Sequence, residues 1–244
     1  MALELATVRA QIAPKGVVRV GLNLSNSLLI EGCDADGVWQ GVAPDLSRKL
    51  ADDLNVSVEF VPYATPSLVA QGIESDEWTV AMIAADPARR GAIEFTRPYA
   101  QIEAGYLVPP GSGILLLESV DLPGRRVVAY AGSAYGLWLE RNLLHAQLIH
   151  ATSFEDAFSR FRAGEADALA SLMPKLQEDR ESWPGCRILG GLFMTVQQAI
   201  GCRSAFRESM EYLDGFVESA LRQSLVEKLI RKHSVSGLRQ VESK

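Results

Sequence analysis

The sequence predicts an α/β protein, and three observations carry that reading. Short apolar runs of strand length alternate with stretches whose apolar residues recur at helical spacing, the pattern of strands covered by helices. The run Thr79-Val80-Ala81-Met82-Ile83-Ala84-Ala85 carries no charge, as a strand buried on both faces requires. Pro109-Pro110-Gly111-Ser112-Gly113 is linker composition in mid-chain, and 244 residues accommodate one large domain or two small ones.

In chain order, Leu5 to Ile12 reads as a short helix and Val17 to Asn23 as the first strand, followed by the polar turn Leu24 to Ser27. Cys33 to Gly37 is a second turn. Ala43 to Leu54 is amphipathic, with Leu46, Leu50 and Leu54 on one face. Asp45 in its first turn reads as a helix-dipole acid more readily than as a site carboxylate. Val56 to Val61 is the second strand and Ser67 to Ile73 a helix. The buried strand Thr79–Ala85 ends at Asp86-Pro87, a strand breaker whose aspartate caps the following turn. Arg89 then lies just past a buried strand end, where open α/β sheets bind ligands, and its planar fork fits a carboxylate. Arg90 reads as a solvated surface charge.

Arg126 to Tyr130 is a strand, and Gly132 to Gly136 opens a helix expected over Leu137 to Leu144. A small-residue loop at a helix N-terminus offers backbone N–H groups to an anion, and the glycines of a dinucleotide or phosphate loop are missing. Tyr135 reads equally as a ligand-facing residue or as packing. Ser153 with Asp156 caps a helix containing Phe154, Ala157, Phe158 and Phe161. Asp167 to Leu172, Cys186 to Leu189 and Phe193 to Gly201 are further strands, and Phe206 to His233 is one long helix. His145 and His150 flank a strand, Gln147 to Ile149, at a spacing unlike a metal pair.

Composition bounds the function. With 48% hydrophobic and 22% charged residues the chain is a globular protein. A net charge of -6 argues against nucleic acid and anionic membrane surfaces. No run of about 18 apolar residues occurs, so no membrane insertion is expected. Three well-separated cysteines, Cys33, Cys186 and Cys202, suggest neither a disulfide framework nor a metal site. The N-terminus lacks a leader pattern. The expectation is a cytoplasmic protein if the sequence is complete, and a periplasmic one if a signal peptide was trimmed.

The stretch from Thr79 to Val108, with Asp86-Pro87-Ala88-Arg89 and Ile93-Glu94-Phe95-Thr96-Arg97-Pro98-Tyr99, resembles bacterial extracellular solute-binding proteins of the amino-acid-binding class (family 3). Further likenesses follow in the family's order: Gly41 to Leu46 with Leu50 to Val56, Asp121 to Val127, Ala131 to Ala134, and Gly164 to Ala168. The resemblance implies a two-lobed type II periplasmic-binding-protein-like fold with two crossover hinge strands. Lobe one would hold residues 1–107 plus 199–244 and lobe two residues 108–198. It implies a protein closing its lobes on a small carboxylate-containing ligand, with an ABC-transporter permease as candidate partner and no cofactor, metal or catalytic residue. The ligand contacts implied in lobe one are Arg89, Asp86, Ala84, Asn23 and Gln197, with Gln198 as the alternative to Gln197. Those in lobe two are Ser133, Ala134, Tyr135 and Ser171. An enzyme on the same scaffold, resembling cyclohexadienyl or arogenate dehydratases, and a ligand-sensing module are the alternatives.

Two departures from the family shape the expected ligand. The interval before Arg89, Met82 to Ala85, is apolar where relatives place small hydroxyl residues. The position that resembles the family's ammonium-binding aspartate is Leu172. Both imply a carboxylate with a neutral or aromatic body rather than a free amino acid.

Overall fold

Helices and strands alternate from the first residues onward. The computed structural model describes residues 2–242. The elements are α1 (Ala2–Ile12), β1 (Val17–Asn23), β2 (Gly32–Cys33), β3 (Trp39–Gln40), α2 (Val42–Leu54), β4 (Ser57–Tyr63), α3 (Pro66–Gln71), β5 (Val80–Ala84), β6 (Ile93–Phe95) and β7 (Ala100–Val108). They continue with β8 (Arg126–Tyr130), α4 (Ala134–Asn142), β9 (Gln147–Ala151), α5 (Phe154–Arg162), β10 (Ala168–Leu172), α6 (Met173–Ser182), β11 (Arg187–Ile188) and β12 (Met194–Arg203). The chain ends in α7 (Arg207–Arg222), α8 (Leu225–Lys232) and β13 (Leu238–Gln240). Single 3-10 turns occur at Pro87–Arg89 and Leu117–Ser119.

The chain divides into two compact units, residues 1–101 with 197–244 and residues 102–196. Strands β7 and β12 each run through a division. These divisions fall inside β7, at 101/102, and inside β12, at 196/197.

In unit 1, β1 pairs in parallel with β4 and β5, and β5 pairs antiparallel with β12. All five residues of β5 are buried, as its charge-free sequence requires. On one face Trp78, Ala81, Ile83, Phe95 and Ala199 pack with Val69 and Ile73 of the α3 region. Burying each large apolar side chain contributes about 1.5–3 kcal/mol. Leu46, Leu50 and Leu54 of α2 are buried on its expected face. Thr79 ties α1 to the sheet, donating from Oγ1 to the Ile12 carbonyl at 2.6 Å and accepting from the Arg19 amide at 3.2 Å.

In unit 2, β9, β8 and β10 run parallel, and β10 pairs antiparallel with β7. Leu107, Val128, Leu169, Phe161 and Leu176 centre its core. Ser153 caps α5 as the sequence predicted, accepting from the Asp156 amide at 3.1 Å.

Three expectations are corrected. The helix expected to begin at Leu137 begins at Ala134, because the Ser133 hydroxyl accepts from the Gly136 amide and starts it a turn earlier. The single helix Phe206–His233 is two helices, α7 and α8, broken where Ser224 takes a left-handed φ of 51°. Asp45 is more than a dipole acid. It binds Arg48 Nη1 at 2.8 Å, Lys232 Nζ at 2.6 Å and His233 Nε2 at 2.9 Å, joining α2 to the end of α8.

Candidate functional site

The candidate site in unit 1 is built on the end of β5. There Ala84 stands opposite Gln198 of β12, and the Ala85 amide donates to the Gln197 carbonyl at 2.8 Å. Asp86 then stops the strand. Its Oδ1 accepts from the Ala88 amide at 2.8 Å, and Pro87 at the first helical position fixes the 3-10 turn that carries Arg89. The turn folds the Arg89 side chain back on its own strand, where Nη1 donates to the Ala84 carbonyl at 2.5 Å. Arg89 is only 8% exposed and Asp86 4%.

Removal from water lowers the Arg89 pKa to about 10, with the Asp86 charge working in the opposite direction. A guanidinium held out of water suits an anion that matches its planar fork. Arg90, by contrast, is exposed and pairs with Glu94 at 3.5 Å.

The remaining predicted contacts of unit 1 fall elsewhere in its bonding. Asn23 Oδ1 accepts from the Ser25 hydroxyl at 2.8 Å and the Ser25 amide at 3.3 Å, which holds the turn after β1. Ala84 contributes its carbonyl to Arg89. Gln197 Nε2 donates to Gln101 Oε1 at 3.4 Å. Of the two glutamines, Gln198 is the buried one, and its Oε1 has no hydrogen-bond partner among the described residues. The sequence signals a glutamine pair but not which member lies beside Ala84; only the β5–β12 register decides that.

In unit 2 the predicted residues gather where β8 and β10 end. The Ser133 hydroxyl is committed, donating to the Tyr130 carbonyl at 2.6 Å while it caps α4. What it leaves for a ligand is the helix end itself, the first-turn amides at Ala134 and Tyr135. Tyr135 is buried, its ring 6.5 Å from that of Phe154. Ser171 is buried on β10, and its neighbour Leu172 is buried at the N-cap of α6. Burial pushes the Tyr135 phenol pKa up, against the pull of the Ser171 and Ser133 hydroxyls beside it.

All three cysteines are free thiols. Among the described residues no group of three or more His, Cys, Asp or Glu side chains is placed to hold a metal. No helix among them is long and apolar enough to cross a membrane.

Residues 19–183 match the family described as "Bacterial extracellular solute-binding proteins, family 3". No curated protein matches the chain by sequence. Among solved structures, the chain is similar to an amino acid ABC transporter substrate-binding protein from Streptococcus pneumoniae bound to L-arginine. The two are 20% identical over 96% of this chain and 99% of that one, with a TM-score of 0.73. A solute receptor for L-cysteine of Neisseria gonorrhoeae gives 20% identity, coverage of 94% and 95%, and a TM-score of 0.75. The ancestral amino acid-binding protein AncCDT-1, a precursor of cyclohexadienyl dehydratase, gives 20% identity, coverage of 91% and 96%, and a TM-score of 0.72. At these identities the likeness is one of fold, the type II periplasmic-binding-protein fold.

Proposed function

We propose that this chain, which belongs to the bacterial extracellular solute-binding proteins of family 3, binds a small solute through a carboxylate. The observation that carries the reading is Arg89, a desolvated guanidinium at the end of a buried strand, turned back by the Asp86–Pro87 turn. Its ligand carries a neutral or aromatic body. A buried ammonium needs an anionic acceptor. Asp86 already shares its charge with Arg89, and the family's acceptor position resembles Leu172 in this chain. The candidate contacts in unit 2 are the amides at Ala134 and Tyr135 and the Ser171 hydroxyl. An ABC-transporter permease is the proposed recipient of the solute.

Binding is favoured over catalysis on this scaffold. An elimination needs a positioned acid or base, and Asp86, the acid nearest Arg89 in sequence, is occupied by its turn and by the guanidinium.

A thermal-shift screen over small carboxylates, followed by calorimetry, tests the reading, since a ligand raises stability by mass action. Arg89→Ala is expected to weaken binding by about 2–3 kcal/mol, the strength of charge-assisted hydrogen bonds. Arg89→Lys restores the charge without the fork and recovers only part of the loss. Micromolar binding of a common amino acid would overturn the ligand class. Affinity unchanged in Arg89→Ala would overturn the site.

A further inference from the structure

His233 closes α8 with both of its ring nitrogens against carboxylates of unit 1. Nδ1 lies 3.0 Å from Glu31 Oε1, and Nε2 lies 2.9 Å from Asp45 Oδ2. A neutral imidazole donates from one nitrogen and presents a lone pair at the other, whereas the imidazolium donates from both. With the side chain only 5% exposed, water has little room to replace either contact. The geometry therefore fits a ring that carries two protons. Its place at the C-terminal end of α8 favours a cation as well.

The two carboxylates are not held equally. Asp45 also binds Arg48 Nη1 at 2.8 Å and Lys232 Nζ at 2.6 Å. Burial pulls its pKa upward, but Lys232 and His233 outweigh that and hold it below the usual value. The Glu31 side chain is half-exposed, and its only ion pair among the described residues is with His233. If the ring gives up one proton to water, the proton on Nε2 is retained for the anchored Asp45, and Nδ1 turns a lone pair towards Glu31. Glu31 is then the group that leaves. It ends the loop that follows β1: the Leu29 and Ile30 amides donate to the Asn26 carbonyl at 3.0 and 3.1 Å, and the Glu31 amide donates to the Gln40 carbonyl at 2.9 Å. The Leu29 carbonyl in turn accepts from the Ala43 amide at the start of α2.

We propose that His233 is a proton-operated clasp: as an imidazolium it ties the Leu24–Glu31 loop and α2 to the end of α8, and loss of one proton frees the loop through Glu31. The charged groups facing the ring are Glu31 from the loop, Asp45 of α2 with Arg48 behind it, and Lys232 of α8. The sign follows from the contacts. The carboxylates favour the charged ring of the folded chain, so the clasp is closed at the acid end of the range in which histidine changes charge, about pH 5–8, and opens as pH rises. All of its parts belong to unit 1, and the inference stands apart from the carboxylate reading.

Nuclear magnetic resonance of the whole chain tests it. The chain has three histidines, so His233→Gln assigns the His233 signals by their loss. At pH 6 both ring nitrogens of His233 are expected to give the shifts of a protonated imidazolium. Hydrogen-exchange protection factors of the Leu29, Ile30 and Glu31 amides, corrected for the intrinsic effect of pH, should fall at least threefold from pH 6 to pH 8. In His233→Gln they should be low at both pH values. In His233→Arg, which keeps a permanent charge and several donors, they should be high at both. Glu31→Gln, a change at a half-exposed side chain that leaves the Asp45 contact intact, should abolish the pH dependence and decides the matter where His233→Gln does not fold. The Val128 amide in β8 of unit 2 is the control for global loosening. A singly protonated ring at pH 6, protection that does not change between the two pH values, a change that survives Glu31→Gln, or an equal change at Val128 would each overturn the clasp.

Discussion

Arg89 is restrained by its own strand before any ligand arrives. The bond to the Ala84 carbonyl and the charge of Asp86 set its position, and both partners lie within five residues of it in the chain. Such pre-ordering lowers the entropic cost of binding. Asp86 then plays two opposed parts, stabilising the buried cation and competing with a ligand anion for it. Asp86→Asn separates them. Asparagine keeps the cap on the Ala88 amide but removes the charge. The variant is expected to melt lower, by the equivalent of about 1–3 kcal/mol, because a buried cation loses its counter-ion. It should also bind a carboxylate several-fold tighter. Calorimetry beside thermal melting checks both, and weaker carboxylate binding in Asp86→Asn would mean that Asp86 itself touches the ligand.

At the scale of elements, α2 shows how local rules and close contacts combine. Its apolar face is plain in the sequence, but its start depends on Gly41, which has a φ of 126° and lies close against the preceding loop. A Cβ there would lie 2.5 Å from the Leu29 carbonyl oxygen and 2.9 Å from Ile30 Cα. Both neighbours are backbone and cannot turn aside. Gly41→Ala is therefore expected to cost about 2–4 kcal/mol, combining strain at φ with displaced backbone. Gly16→Ala, at φ of 74° with nothing within 4 Å, should cost only about 1 kcal/mol. Chemical unfolding of the pair measures the difference, and equal costs would refute the crowding argument. The helix α7 is joined to the segment before β7 by Arg97, whose amide and guanidinium both donate to Asp214, at 2.6 Å for the amide and 2.7 Å for Nη2.

Over the whole molecule such carboxylates make stability depend on acid pH. Burial pulls Asp214 upward, but the Arg97 side chain and amide outweigh it and hold its pKa below the usual 3.8. Burial likewise raises Asp121, and the amides of Leu144, Ala146 and His145 more than offset it. A carboxylate depressed on folding adds stability that is present above its unfolded pKa and lost as pH falls through the folded value. Unfolding free energy should therefore decline below about pH 4. Asp121→Asn and Asp214→Asn should be less stable than the unmodified chain at pH 7 and converge with it near about pH 2–3, as urea titrations at the two pH values would reveal.

Much of this architecture is decided locally and is legible in the residues themselves. The charge-free run before Asp86, the leucine stripe of α2, the Ser153 cap and the turn that carries Arg89 depend on neighbours a few positions away, so propensity and spacing suffice to predict them. Tertiary structure decided the rest. Which of Gln197 and Gln198 is buried follows from the pairing of β5 with β12, over a hundred positions apart in the chain. Asp45 finds its partners at the far end of the chain, in Lys232 and His233. Ser133 is consumed by its own cap, whereas Ser171 and Tyr135, no more polar by sequence, are buried side by side. Those outcomes turn on strand register and long-range packing, which bring together groups whose local sequences carry no mark of one another.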